Sequence, residues 1–173
     1  KAGQVKVTGC SNYSAPQLRE SIDAADLAGV HRFEIIQPPY SLALPDGQNN
    51  LFPLCVREGV SITAHSPLGS GFLAGKYVPN RTKIPKGTRF DVAPGHIDVY
   101  FNERNFRITD RLRQKSAKLG LPMVRLAMAW AMTNPDITAI IIGARTPGQV
   151  DNALTAYETG LDPELRDEMS GWS

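Results

Sequence analysis

The sequence predicts an α/β protein built on a parallel sheet, and two observations carry the prediction. Short apolar runs that read as strands alternate four times with stretches of helical periodicity, and strands separated by helices pair in parallel. Each run also ends on small or polar groups. Gly9-Cys10-Ser11-Asn12-Tyr13 follows Val5-Lys6-Val7-Thr8, and Gln37 follows Phe33-Glu34-Ile35-Ile36. His65-Ser66 follows Ser61-Ile62-Thr63-Ala64, and Gly143-Ala144-Arg145 follows Ala139-Ile140-Ile141-Ile142. Parallel α/β proteins bind ligands at the carboxyl ends of their strands, so the repeated punctuation predicts one built surface. Two architectures fit, a small doubly wound sheet or half of an eight-stranded barrel. A full barrel needs about 250 residues.

The elements follow in order. Val5 to Cys10 is the first strand. Ser14, Pro16 in the first turn and Gln17 open a helix with capping-box spacing, and Leu18, Ile22 and Ala25 form its apolar face before Gly29 ends it. Phe33 to Gln37 is the second strand, stopped by Pro38-Pro39 because proline offers no ladder donor. Asn50 caps a helix carrying Leu51, Leu54 and Cys55, closed by Gly59, and Ser61 to Ala64 is the third strand. From His65 to Asn105 runs an irregular segment with five Gly and four Pro, the composition of a functional loop or lid, whose Phe90, Tyr100 and Phe101 either line a pocket or anchor it. Phe106 to Leu119 is a helix ended by Gly120, and Pro122 begins another that runs to Met132 before Asn134-Pro135. Thr138 to Ile142 is continuously apolar, as buried parallel strands are. Thr146 and Gln149 again have capping-box spacing, opening a helix through Val150 and Leu154, and Asp162-Pro163 starts a last short one. At the start, Lys1-Ala2-Gly3-Gln4 reads as the tail of a helix running into a strand, so further chain is expected upstream.

Composition narrows the function classes. The 173 residues make one domain, with 42% hydrophobic and 21% charged residues as in ordinary globular proteins. Nineteen Lys and Arg against 17 Asp and Glu give a net charge of +2, too small to point to nucleic acid or membrane. No apolar run approaches the ~20 residues that span a bilayer, and no signal peptide is recognisable. Cys10 and Cys55 are too few for a disulfide framework and read as buried free thiols, which fits a reducing, cytoplasmic setting. His31, His65 and His96 are too scattered for metal spacing.

The polar strand ends carry the chemistry. Ser11 offers a hydroxyl, and Asn12 and Gln37 each offer an amide acceptor and donor, a set suited to a neutral amide ligand. Asn12 alone also reads as a turn residue, because Asn tolerates left-handed backbone angles. Ser66-Pro67-Leu68-Gly69-Ser70-Gly71 has the hydroxyls and glycines of a loop whose N–H groups turn toward an anion, with Lys76, Arg81 and Arg89 following, though many such loops are plain turns. His65 reads as a base, a stacking surface or a core histidine, with no carboxylate near it in sequence. Gly143-Ala144-Arg145-Thr146 leads into a helix N-terminus with Gln149 and Asn152 on its first turns, which reads as a phosphate site or as a plain capped helix. Together these groups suggest a dinucleotide, yet no Gly-x-Gly-x-x-Gly fingerprint supports a Rossmann fold.

These residues resemble a known family. Gly9 to Tyr13, Gln37-Pro38-Pro39-Tyr40-Ser41, His65 through Tyr77 and Ile142 through Pro147 are similar to the C-terminal half of aldo-keto reductases, in order and over essentially the whole chain. The bacterial and potassium-channel-beta-subunit branches look closer than the mammalian aldose reductase branch. The resemblance implies a (β/α)8 TIM barrel, with residues 1–173 supplying its second half, strands 5 to 8 and their helices, and the N-terminal half lying outside this sequence. It implies NADP(H) as cofactor, NAD(H) remaining open. Ser11, Asn12 and Gln37 would hold the nicotinamide carboxamide, and His65 stands where the family usually places an aromatic ring. Ser66, Pro67, Leu68, Gly69 and Ser70 would wrap the pyrophosphate, with Lys76 and Arg89 nearby. Gly143, Ala144, Arg145, Gln149 and Asn152 would hold the adenosine end. Some branches have Lys at the place of Gly143, an acidic residue at that of Asn152, and Asn at that of Ala153.

The implied activity of the complete protein is reduction of aldehydes or ketones by hydride transfer. The family's catalytic Asp, Tyr, Lys and His belong to the first four strands, so no residue here is assigned a catalytic role and the chain alone is expected to be inactive. A half barrel would expose two strand edges, which are aggregation templates, so the missing half is an expected partner beside the carbonyl substrate. The competing class is an NADP(H)-binding regulatory or partner-binding subunit of the same fold, and a third is a phosphate-binding barrel of other chemistry.

Overall fold

A computed structural model describes residues 3–172. The helix-tail reading of Lys1 and Ala2 lies outside the described residues. Strands β1 (Gly9–Ser11), β2 (Ile35–Gln37), β3 (Ser61–His65) and β4 (Ala139–Ile141) form one parallel sheet in the order β1-β2-β3-β4. The helices are α1 (Ala15–Leu27), α2 (Gly47–Glu58), α3 (Arg89–Val92), α4 (Ile97–Tyr100), α5 (Glu103–Leu119), α6 (Met123–Met132), α7 (Pro147–Thr159) and α8 (Pro163–Ser170).

The strand order speaks against a doubly wound sheet. A doubly wound sheet reverses its strand order and carries helices on both faces. Here the strands run sequentially and one face is packed. Cys10 registers with Ile36, Ile36 with Ile62, and Ala64 with Ile140. Ile36, Ile62 and Ala64 share a core with Leu18 and Ile22 of α1, Phe52 and Cys55 of α2, Ile108 and Leu112 of α5, and Leu126 and Trp130 of α6. On the other face Gly9, Ser11, Ile35, Ala139 and Ile141 are exposed, and Gln37, Thr63 and His65 are half-buried. A sequential parallel sheet packed on one face and open on the other is consistent with barrel-type α/β topology. No helix among the described residues is long and apolar enough to cross a membrane.

Several elements differ from their sequence reading, each for a physical reason. Val5 and Val7 are exposed and precede β1, because pairing begins only where Glu34 N–H donates to the Thr8 carbonyl, at 3.0 Å. Prolines 38 and 39 end β2 without ending its pairing. The Pro38 carbonyl still accepts from His65 N–H at 2.9 Å, and Tyr40 N–H donates to the His65 carbonyl at 3.0 Å. Helix α2 starts at Gly47 after Asp46, a turn before Asn50, and carries Pro53 on its exposed side. Helix α5 starts at Glu103, where the Asn102 side chain accepts from Asn105 N–H at 2.9 Å. In β4, Ile141 is exposed rather than buried, because it lies on the open face.

The Ser14–Gln17 capping box forms in full. That of Thr146 and Gln149 does not, since Gln149 Oε1 accepts from the Arg145 amide at 2.6 Å and the Thr146 side chain caps nothing. The segment between β3 and α5 is not structureless. It holds α3, α4 and three 3₁₀ turns. Phe90 and Tyr100 are buried in the core with Phe72 and Tyr77, so these aromatics anchor the segment. Cys10 and Cys55 are free thiols, and burial pushes that of Cys55 up to about 11.

Candidate functional site

A cleft of about 590 Å³ opens where β3, the segment that follows it, α6 and the β4–α7 turn meet. Its walls include His65, Ser66, Pro67, Leu68, Ser70, Lys76 and Arg89 from one side and Gly143, Ala144, Arg145, Gln149 and Asn152 from the other. Gly69 is buried within the same turn. Of the residues singled out in the sequence, Ser11, Asn12 and Gln37 lie outside the walls.

Those three stand at the ends of β1 and β2 and are linked to the cleft through His65. Ser11 pairs with Gln37 across the sheet, and its hydroxyl donates to the Gln37 carbonyl at 3.0 Å. The Asn12 amide donates to the same carbonyl at 3.1 Å. Asn12 adopts the left-handed backbone that its turn reading requires, with φ 61°. Its side chain nonetheless reaches across two strands, placing Oδ1 3.1 Å from His65 Nε2. An amide oxygen only accepts, so Nε2 carries the proton, and Nδ1 is left to accept from Ser66 Oγ at 3.0 Å. Burial and the charge of His96 hold the His65 pKa below its usual value, which favours the neutral ring.

The loop after β3 is built of left-handed turns. Ser66, Gly69, Ser70 and Gly71 have φ of 59°, 56°, 56° and 85°. Ser66 and Ser70 take this conformation without glycine's freedom, a cost that tends to be kept at functional sites. The glycine amides do not face an anion, contrary to the simple reading of the loop. Gly69 N–H donates to the Ser66 carbonyl at 2.8 Å and Gly71 N–H to that of Leu68 at 3.0 Å. The amides of Leu68 and Ser70 have no such partner among the described residues. Tyr100 sets the loop from beneath, its buried ring lying against Gly69.

Charge in the cleft is one-sided. Lys76, Arg89 and Arg145 line it, no Asp or Glu does, and among the described residues none of the three cations is ion-paired. Such a concentration of uncompensated cations draws an anionic ligand. Arg145 also donates to the Gly87 carbonyl at 3.2 Å, tying the long segment to the β4–α7 turn. Arg81, considered with these cations in the sequence, is instead paired with Asp98 at 2.6 Å, away from the cleft.

Sequence reasoning missed the apolar wall. Val124 and Met128 of α6, Ala153 of α7 and Ile142 after β4 line the cleft. In the sequence they carry only the signal of core residues, and α6 is indeed core on its remaining sides.

Comparison with known proteins places this geometry. A model of the Aldo/keto reductase family matches residues 1–171. A probable voltage-gated potassium channel subunit beta of Arabidopsis thaliana is 31% identical over 158 residues, 87% of this chain and 46% of that protein. The NADH-specific methylglyoxal reductase of Escherichia coli is 30% identical over 175 residues, 97% of this chain and 49% of the enzyme. An aldo-keto reductase of Pseudocercospora fijiensis is 30% identical over 172 residues, 95% of this chain and 58% of that protein. The chain spans about half the length of the curated relatives it matches. With its sequential parallel sheet, its ligand-sized cleft at the carboxyl ends of the strands and this match over nearly every residue, the chain belongs to the aldo/keto reductase family.

Proposed function

We propose that this chain is the NADP(H)-binding half of a carbonyl reductase, supplying strands 5 to 8 of a (β/α)8 barrel. The observation that carries the reading is the cleft with three unpaired cations and no carboxylate, since a phosphorylated dinucleotide brings negative charge to both its pyrophosphate and its 2′-phosphate. The volume of about 590 Å³ is in the range of small-molecule sites, roughly 300–1,000 Å³.

In this reading the turn from Ser66 to Ser70 and Lys76 hold the pyrophosphate, with the free Leu68 and Ser70 amides as donors and Arg89 beside them. Arg145 faces the 2′-phosphate at the start of α7, where helix N–H groups favour an anion. Gly143, Ala144, Gln149 and Asn152 enclose the adenosine. Ser11, Asn12 and Gln37 hold the carboxamide. Asn12 keeps its amide N–H donors for this task, because only its oxygen is engaged by His65. His65 is locked edge-on between Asn12 and Ser66, so it orients the ring-binding end and takes no part in proton transfer. The bound cofactor supplies a hydride to an aldehyde or ketone carbon. The proton for the carbonyl oxygen comes from a residue beyond this chain, in the half of the barrel that covers the open sheet face.

A second reading, a binding subunit without chemistry, is favoured by the relative described as a potassium channel beta subunit and by the lack of a proton donor assigned within these residues. Both readings require the cofactor. Titrating the full protein with NADPH, followed by nicotinamide fluorescence, tests the shared part, and no change refutes both. NADPH oxidation against a panel of aldehydes then separates them. Tighter binding of NADH than NADPH would refute the 2′-phosphate role of Arg145.

A further inference from the structure

We infer that His65 makes the site's choice between the reduced and the oxidised cofactor depend on pH, favouring the reduced form in acid. The inference rests on the proposed reading that Asn12 holds the nicotinamide carboxamide.

His65 is held so that it can gain a proton without moving. Its Nε2 lies 3.1 Å from Asn12 Oδ1 and its Nδ1 3.0 Å from Ser66 Oγ. In the neutral ring Nε2–H donates to Asn12, and Nδ1 accepts from the Ser66 hydroxyl. In the imidazolium both ring nitrogens donate. Asn12 Oδ1 remains an acceptor, and a serine hydroxyl accepts as readily as it donates, so Ser66 only has to turn its own hydrogen away. A backbone N–H facing Nδ1 would have forbidden the second state. Protonation therefore changes the charge of the ring and leaves Asn12 in place. The proton comes from solvent and stays on the ring.

The charge arrives where it tells the two cofactor forms apart. An oxidised nicotinamide ring is positive, and a reduced one is neutral. A group held by the Asn12 amide nitrogen is one amide away from the His65 ring. An imidazolium there opposes the oxidised ring and leaves the reduced ring unopposed.

The neighbours of His65 set the window. Lys76, Arg89 and Arg145 line the same cleft and give a constant positive background, and no Asp or Glu lines it. Ile141, which pairs with His65 on β4, is uncharged, as are Asn12 and Gln37 on the neighbouring strand ends and Val124 and Met128 of α6. Tyr40 donates its amide to the His65 carbonyl, but its side chain is buried in the core. His96 is the other histidine whose charge reaches His65. With burial, it lowers the His65 pKa, so the ring charges only below about pH 6.5.

The test is competition between NADPH and NADP+ for the full protein, read by nicotinamide fluorescence from about pH 8 to about pH 5.5. The two nucleotides carry the same phosphates, so phosphate titration and the pull of the cleft cations cancel in the ratio of their dissociation constants. In the unaltered protein NADP+ loses about three- to tenfold against NADPH across this range, the effect of a nearby unit charge in a half-buried, salt-screened site. His65→Gln puts a neutral amide in place of the ring and holds the ratio constant to within about twofold. His65→Tyr is the second variant should the first not fold by circular dichroism. His96→Gln keeps the dependence and moves its midpoint to higher pH, because a repelling charge is gone. A constant ratio in the unaltered protein, a shift toward NADP+ in acid, or a dependence that persists in the His65 variants overturns the inference. Loss of the dependence in His96→Gln also overturns it, since His96 would then be the titrating group. Failure of both nucleotides to bind at any pH overturns the cofactor reading itself, a result distinct from binding with a constant ratio.

Discussion

Gly69→Ala tests how tightly the loop over the cleft is built. The residue sits at φ +56°, where an L side chain is strained, and an added Cβ would lie 2.9 Å from Tyr100 Cε1 and 3.2 Å from Cδ1. Tyr100 is 4% exposed and packs against Phe72 and Phe90 with ring centroids 6.1 and 5.8 Å away, so its ring has no free direction in which to retreat. The left-handed conformation costs alanine about 1–2 kcal/mol. Overpacking a filled core adds about 1–3 kcal/mol. The sum, roughly 2–5 kcal/mol, is a large part of the ~5–15 kcal/mol that holds an ordinary domain together. Urea unfolding followed by tryptophan fluorescence, with Trp130 fully buried as reporter, is the assay. A double-mutant cycle divides the two costs, because in a Tyr100→Ala background the clash vanishes and only the backbone part of about 1–2 kcal/mol remains. A loss below about 1 kcal/mol, or the same loss in both backgrounds, would refute the reasoning.

Asn134→Ala removes a buried amide whose Nδ2 donates to Tyr40 Oη at 2.8 Å and whose Oδ1 accepts from Asp136 N–H at 3.0 Å, so a loss of about 1–3 kcal/mol is expected in the same urea assay. Arg145→Met deletes both a cleft cation and the tie to Gly87, and NADPH affinity should fall about 10- to 100-fold in a fluorescence titration, with a shallower salt dependence than the unaltered protein shows. The folded-state pKa of His65 is lowered, so below about pH 6.5 the unfolded chain binds the extra proton and stability falls as pH falls. Denaturation midpoints of His65→Asn should be flatter across that window. Burial of Cys55 and Cys10 raises both thiols, and neither should react within minutes with a disulfide reagent at pH 7.5 until urea is added.

Sequence pattern revealed the strand–helix order, because apolar runs and caps are local signals. Ser14 and Gln17 cap as their spacing demands, and the polar groups after all four strands gather at one end of the sheet because parallel strands share a direction. Boundaries depend on partners instead. Val5 and Val7 look like strand residues but pair with no strand among the described residues, and Gln149 has the spacing to cap Thr146 but accepts from the Arg145 amide instead. The apolar wall of Val124, Met128 and Ala153 was illegible for a similar reason. A residue facing a cleft and one facing a core have the same chemistry, and only the packing of α6 against α7 tells them apart. The His65 links were also hidden, since Asn12 and His65 are 53 residues apart in the chain and meet only through the sheet.

The fold itself accounts for much of the charge character of the cleft. Parallel strands bring their carboxyl ends to one side, and each following helix begins there, so unpaired N–H groups accumulate where strands end and helices start. The sequence adds Lys76, Arg89 and Arg145 to this background and places no carboxylate among the walls. That division of labour explains why the two ends of the site differ in completeness. The anion-facing part is enclosed by α6, α7 and the segment tied down by Arg145, all within this chain. The part around Ser11, Asn12 and Gln37 instead opens onto the bare sheet face, where Gly9, Ile35 and Ile141 are exposed. The mix of small, polar and apolar side chains on that face leaves room for an occupant but encloses it on one side only. In the proposed reading, a group held there would take its orientation from Asn12 and His65 and the rest of its enclosure from whatever covers the sheet, so the anion-facing half of the proposed site should be the part this chain builds by itself.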